Sequence, residues 1–512
     1  MKKGSITLFC ALSLMLVASL VFALLESARF RGLDYCATLK AEAAIDSVCA
    51  EYQPYLWREY GLLFLDGAYG TEEFSVGYVL EQLDHYMETD ASTNDWLNNW
   101  MGVDLFRLEK AEVLLEGYAL AADDEGELFL NYVAGRAKEK LSLGIAEELL
   151  AKYQKVSALE EECEDVTEAI TKAQKAIAEA KSEWVARREE ELIKQEDDEK
   201  QDASENDEVV QQPDTSVIDN LFSMAQQLRS ESTLHMIFSD ESGISSVTFS
   251  MSEPMHMRKK QEGTMYLKSE KDWYRKLLVL AYLESYFSNY TSSKEGHLLQ
   301  YEMEYALCGK GTEEENLACA LERILLLREA ANIAHILSDG KKMAQIEELA
   351  SILGLLAGGN YGIVKAVEFG IAGVWAYAES VMDVRALVHG EKIPLVKQEA
   401  EWTIALDELH CIWDKGIKAK KCESGLDYTD YLKQLLFWVD NQALAYRMME
   451  VMEFGMRCRE EYKNCRMDHM IVMLRYKVKF RGVPVFSEML LIGSAYRVNY
   501  IFSKEIERSY VP

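Results

Sequence analysis

Basic side chains are in short supply: 55 Lys and Arg stand against 86 Asp and Glu, for a formal charge of −31. A nucleic-acid binder needs clustered cations to displace counterions from phosphates, so that class is excluded. Proline is scarcer still, with six in 512 residues, which leaves room for long unbroken helices. The eight histidines are scattered and form no HExxH pair, the spacing by which zinc peptidases set two imidazoles on one helix face. Ten cysteines include no CxxC pair. There is no GxSxG nucleophile elbow. A phosphate loop needs GxxxxGK[ST]; around CGKGT at Cys308 to Thr312, Glu304 stands where the first glycine belongs and Gly311 where the hydroxyl belongs. No catalytic, cofactor-binding or metal-ligating residue is therefore assigned.

What the chain does have is apolar bulk, 49% hydrophobic and 10% aromatic, enough to build cores and not a disordered stalk. Its length exceeds one usual hydrophobic core, so at least two packed units are expected. The first apolar feature is the uncharged run over residues 5–25, preceded by Lys2 and Lys3. At 1.5 Å per residue it spans a bilayer core of ~30 Å. A cleaved secretory signal has a shorter apolar region, roughly 7–15 residues, and ends at small residues. This run instead ends in FALLESARF, with Glu26 and Arg29 where cleavage would fall. An uncleaved single-pass anchor in the cell membrane is the reading, with lipid as a partner. Arg29 and Arg31 balance the two lysines, so the charge count does not orient it. A short cytoplasmic head and an extracytoplasmic bulk after Ser27 are expected.

Lys3-Gly4-Ser5 followed by an apolar helix resembles the start of type IV prepilins and of TadE/TadG-type pseudopilins, in which a prepilin peptidase cuts after the glycine. The resemblance marks Gly4 and Ser5 as a candidate processing site. Those proteins carry glutamate at the fifth position after the cut, and here that position is Phe9. Further along, ESAR (26–29), YGLLFLDGAYG (60–70), YEMEYALCGKGTEEENL (301–317), WAYAESVMDVRALVHGEKIPL (375–395) and GLDYTDYLKQLL (425–436) resemble segments of one uncharacterised family. It occurs in anaerobic Gram-positive bacteria, beside Tad (Flp-type) pilus assembly genes. The resemblance implies a non-enzymatic accessory component of a Tad-type pilus or secretion assembly, with proteins of that assembly as partners. The alternative is an anchored envelope enzyme or ligand-binding receptor whose site lies in the helical domain after Trp273.

The fold class expected is α+β, predominantly α. Residues 1–26 form the head and anchor. Residues 27–135 form a pilin-like α+β portion, in which the anchor continues as a rod to about Trp57 with Ala37, Ala41, Ala44, Ile45 and Val48 on one face. The glycines of YGLLFLDGAYG break it, and a polar helix and the Trp-rich turn DWLNNWMG follow. Residues 105–120 read as a strand, Asp123 to Gly126 as a turn, and Glu127 opens a helix. Residues 136–196 form a long coiled-coil-like helix whose seam runs through Val156, Leu159, Cys163, Val166, Ile170, Ala173, Ile177, Ala180 and Trp184. Such a seam needs a cover, either a second copy of the chain, making a homo-oligomer, or a returning helix such as residues 217–228. Residues 197–216 are an acidic linker. Residues 217–512 form a helix-rich domain, with a strand over 244–251, a buried helical hairpin turning near Gly358-Gly359-Asn360, and late strands from MLRYKVKF (473–480).

Three groups of polar residues invite chemistry. His297, Glu302, Glu304 and Glu313 to Glu315 gather ligand types in a short span, and surface-facing carboxylates are the ordinary account. Asp383 and Arg385 sit on a strongly apolar helix, where a structural charge pair is favoured over a site. Cys308 and Cys319 flank Gly309-Lys310-Gly311, a break that permits a disulfide; buried free thiols are the default.

Overall fold

The computed structural model describes residues 2–88, 105–138, 143–162, 166–198, 214–249, 253–266, 272–356, 360–486 and 499–511. They form two compact units interleaved along the chain: residues 1–138, 251–275 and 441–512 make the first, and 139–250 and 276–440 the second. The architecture is α+β and predominantly α, with 4 strands among many helices. The DWLNNWMG turn, residues 199–213 of the acidic linker expected over 197–216, and the hairpin tip at 357–359 lie outside the described residues.

The first unit is built on helix α1 (Lys2–Cys49). Its alanine-rich face makes it pack closely: Leu33, Ala37, Ala41, Ala44, Ile45 and Val48 are all buried in one cluster with the sheet. The rod stops at Cys49, short of Trp57, because Pro54 starts a separate helix α2 (Pro54–Tyr60). Gly61, at φ 66°, closes α2 in the left-handed conformation that only glycine adopts freely. Strand β3 (Met470–Gly482) is central. It pairs antiparallel with β2 (Leu108–Leu120) on one side, and with β4 (Tyr500–Ser509) and the short β1 (Leu65–Asp66) on the other. The alternation in MLRYKVKF sends Leu474, Tyr476, Val478 and Phe480 into the core under α1. Arg475 and Lys479 face outward to pair with Glu507 and Glu112 on the neighbouring strands. The late strands thus belong with the N-terminal portion and not with the helical block 217–512 in which the sequence order placed them.

The second unit is helical. At its centre stands helix α13 (Tyr361–Val388), every residue of which is buried from Gly370 onward. A helix buried all round needs cover on every side, and α13 is covered by helices Val166–Asp198, Ser216–Ser230, Glu313–Ser338 and Gly340–Leu356. The two arms of the expected hairpin are helices that pack together, one ending at Leu356 and the other starting at Tyr361. Of the long helix expected over 136–196, Leu143–Glu162 and Val166–Asp198 are helical, and residues 163–165 between them lie outside the described residues. On the second of these, Ile170, Ala173, Ile177 and Ala180 are buried, and within the unit this helix packs on α13 and on Ser216–Ser230. Gly370 makes the approach: a Cβ there would lie 2.9 Å from Ala173 Cβ and 2.9 Å from the Phe222 ring. The strand expected over 244–251 is absent among the described residues. Thr248 makes only an isolated bridge to Thr312, because no neighbouring strand offers the stretch a ladder to join.

Candidate functional site

The one helix long and apolar enough to cross a membrane, among the described residues, is α1. Its uncharged first half lies open, and its second half, which mixes small apolar and charged residues, is packed. Leu14 is 71% exposed, whereas Ala41 is 0% exposed and covered by the sheet. Glu26 and Arg29 sit at the changeover, both buried and joined at 3.0 Å. Arg29 Nε donates to the Leu105 carbonyl at 2.5 Å, and Glu26 Oε2 accepts the Val485 and Phe486 N–H groups at 3.2 and 2.7 Å. The ESAR segment therefore fastens the apolar half of α1 to the folded half. Further along, Tyr476 donates to the Ala41 carbonyl at 2.5 Å, and Tyr510 to the Cys49 carbonyl at 2.5 Å. Gly4 and Ser5, the candidate processing residues, lie in the first turns of α1.

In the second unit the acidic stretch after His297 is not a solvated surface. Glu314 and Glu315 face water, but Glu302, Glu304 and Glu313 are buried. This corrects the surface reading, and the reason is backbone hydrogen bonding. Glu302 Oε2 accepts the Ser288 N–H at 2.8 Å and lies 2.7 Å from His297 Nδ1. Glu304 Oε1 accepts the Tyr290 N–H at 2.9 Å and the Tyr428 hydroxyl at 2.8 Å. Glu313 accepts the N–H groups of Gln300 and Tyr301. Burial pushes the Glu304 carboxyl up to about 7, against the pull of the Tyr290 and Tyr428 donors. No group of three metal-ligating side chains gathers among the described residues. CGKGT is a turn between helices Glu302–Cys308 and Glu313–Ser338. Gly309, at φ 64°, ends the first, and a capping box between Thr312 and Glu315 starts the second. Cys308 and Cys319 are both free thiols.

Asp383 and Arg385, two positions apart in sequence, do different things. Arg385 donates to the Met236 carbonyl at 3.0 and 2.7 Å. Asp383 anchors a buried network that the sequence reading missed: its carboxylate lies 2.8 Å from Arg328 and 2.6 Å from Lys397, and Lys397 also pairs with Glu379. All four side chains are fully buried. Burial alone would raise the Asp383 carboxyl, but Arg328 and Lys397 hold it below the ordinary carboxylate range. Burial dominates at Glu379, which is raised. Asn332, Ser380 and Tyr431 complete the hydrogen bonds. The only sequence signal was a charge on otherwise apolar helices, Arg328 in ILLLREAANIAHIL and Glu379 in AYAESVMDV. Two acids balanced by two bases, with no solvent access, hold helices together and leave no group free to react.

Residues 211–482 match the sequence profile of a family described as Family of unknown function (DUF5702). No curated protein and no solved structure matches the chain.

Proposed function

The chain belongs to the family of unknown function (DUF5702), and from that premise we propose a structural role at a membrane. The protein is a single-pass anchored component whose bulk lies outside the cytoplasm, an accessory, pseudopilin-like part of a Tad-type pilus or secretion assembly. It catalyses no reaction; its anchor helix enters or caps the assembly and its body recruits partners. One observation carries this reading. A single continuous helix leaves its apolar first half exposed and buries its second half under an antiparallel sheet, the division of labour that pilin-like subunits use to hold a folded head on a lipid-embedded stem. The Lys3-Gly4-Ser5 head and the Glu26 fastening support it. Lipid, and after assembly neighbouring helices, satisfy the exposed apolar half.

The test is topology in the cell. Full-length protein is expected in the carbonate-resistant membrane fraction, with Cys458, an exposed thiol, labelled by a membrane-impermeant maleimide in intact cells whose wall has been removed. Deleting residues 2–25 is expected to release the protein from the membrane. A body labelled only after lysis would place it in the cytoplasm and end the proposal. Co-expression with a prepilin peptidase is expected to shorten the chain by the residues through Gly4.

A further inference from the structure

In the second unit a surface cavity of about 450 Å³ opens among three loops, lined by Tyr290, Thr291, Gln300, Tyr301, Val388 and His389 with two glycines between them. Its size falls in the range of roughly 300–1,000 Å³ of small-molecule sites. Nothing in the assembly role requires it. We propose that this cavity binds a neutral saccharide unit.

The loops around it are held unusually firmly. Each of the two aromatic residues at its wall is tied through its backbone to a buried carboxylate: Tyr290 N–H to Glu304, and Tyr301 N–H to Glu313 at 2.9 Å. Gln300 N–H also goes to Glu313, and the Tyr301 hydroxyl accepts the Ser245 N–H at 3.1 Å. Burying carboxylates is costly, and here their hydrogen bonds go to the backbone of the very residues that face the cavity. A wall fixed in advance loses less entropy when a ligand seats.

The lining then selects the ligand class. No Asp, Glu, Lys or Arg lines the cavity among the described residues, so a charged ligand would go uncompensated. Tyr290 is half-buried and offers a ring face with a polar tip, and Tyr301, buried with its ring centroid 5.8 Å away, backs it. His389 Nδ1 lies 2.6 Å from the Arg385 carbonyl, which makes Nδ1 the protonated nitrogen and Nε2 an acceptor. The Gln300 side-chain amide brings both donors and an acceptor. One aromatic face for the C–H side of a ring, together with donors and acceptors for its hydroxyls, fits a pyranose better than a flat aromatic or an aliphatic ligand. The open mouth suits one unit of a longer glycan as well as a free sugar.

Saturation-transfer NMR on the detergent-solubilised full chain tests this with cellobiose, maltose and N,N′-diacetylchitobiose as neutral probes and digalacturonic acid as the charged one. At least one neutral probe is expected to show transfer and the charged one none. Gln300→Ala, an exposed position, is expected to weaken that binding about tenfold, the worth of one ligand hydrogen bond; Tyr290→Phe is expected to keep the stacking and lose only the hydroxyl contact. A glycan source is distinguished from a free sugar by whether affinity rises from the disaccharide to the tetrasaccharide. No transfer to any neutral probe, preference for the acid, or unchanged binding in Gln300→Ala with an unchanged melting temperature overturns the proposal. None of these outcomes bears on membrane topology, so the assembly role stands or falls separately.

Discussion

The Arg328 guanidinium and the Asp383 carboxylate meet at 2.8 Å with neither side chain reaching solvent. Lys397 and Glu379 extend the pair into a neutral set of four. A buried ion pair adds little net stability over apolar packing, yet breaking one strands a charge at a cost of about 3–5 kcal/mol. Asp383→Asn leaves Glu379 to Lys397 and leaves Arg328 without its anion. The urea midpoint of the second unit is expected to fall by that amount divided by the m-value. A midpoint unchanged within error would show that the network does not hold the helices.

Glu304 gives the protein a pH dependence of its own. Its carboxyl is raised from the ordinary 4.5 to about 7 by burial, with the Glu313 charge adding to the rise and the Tyr290 and Tyr428 donors opposing it. A group raised on folding contributes stability that is complete below its unfolded pKa and is lost as pH climbs through the folded value. The window is therefore pH 4.5 to about 7, and the loss is about 3 kcal/mol at ~1.4 kcal/mol per unit. Thermal melts at pH 5 and pH 8 are expected to show a smaller drop for Glu304→Gln than for the unaltered chain. Equal drops would place the titration elsewhere.

What the sequence made legible was local and periodic. The alanine face of α1 and the alternation of MLRYKVKF each announce themselves within one element, and each reappears in the structure. What stayed hidden depends on partners far along the chain. Nothing near Leu65 or Leu108 says that both will pair with a strand at Met470–Gly482. The carboxylates of Glu302, Glu304 and Glu313 look solvated because their partners are backbone N–H groups, which carry no sequence signature. Residues 244–249 alternate correctly for a strand and lack only a neighbour.

Gly370 sets how closely three helices approach. An added methyl would meet Ala173 and Phe222 at 2.9 Å, so Gly370→Ala overpacks a filled contact at a typical cost of 1–3 kcal/mol. Gly362, on the same helix, meets nothing nearer than Asn360 at 3.4 Å, and there Ala should gain up to ~1 kcal/mol of helix propensity. Limited proteolysis is expected to cut Val166–Asp198 faster in Gly370→Ala and no faster in Gly362→Ala. Equal rates in both variants would show that the contact at Gly370 tolerates a side chain.

The seat of α1 sets packing against charge. Lys504 pairs with Asp34 at 2.7 Å and Arg508 with Asp46 at 2.7 Å, linking β4 to α1, but the two aspartates are 51% and 58% exposed. Pairs so open to solvent contribute about 0–1 kcal/mol each and fade with salt. Ala41 is 0% exposed under Tyr476, whose hydroxyl donates to its carbonyl. Ala41→Leu adds three carbons where none fit and costs about 1–3 kcal/mol. Packing therefore outweighs the ion pairs. Hydrogen exchange over residues 33–48 of the full chain is expected to quicken sharply in Ala41→Leu and hardly at all in Lys504→Ala, with the order unchanged in 0.5 M salt. The reverse order would mean that charge, not the alanine face, holds the anchor helix to its sheet.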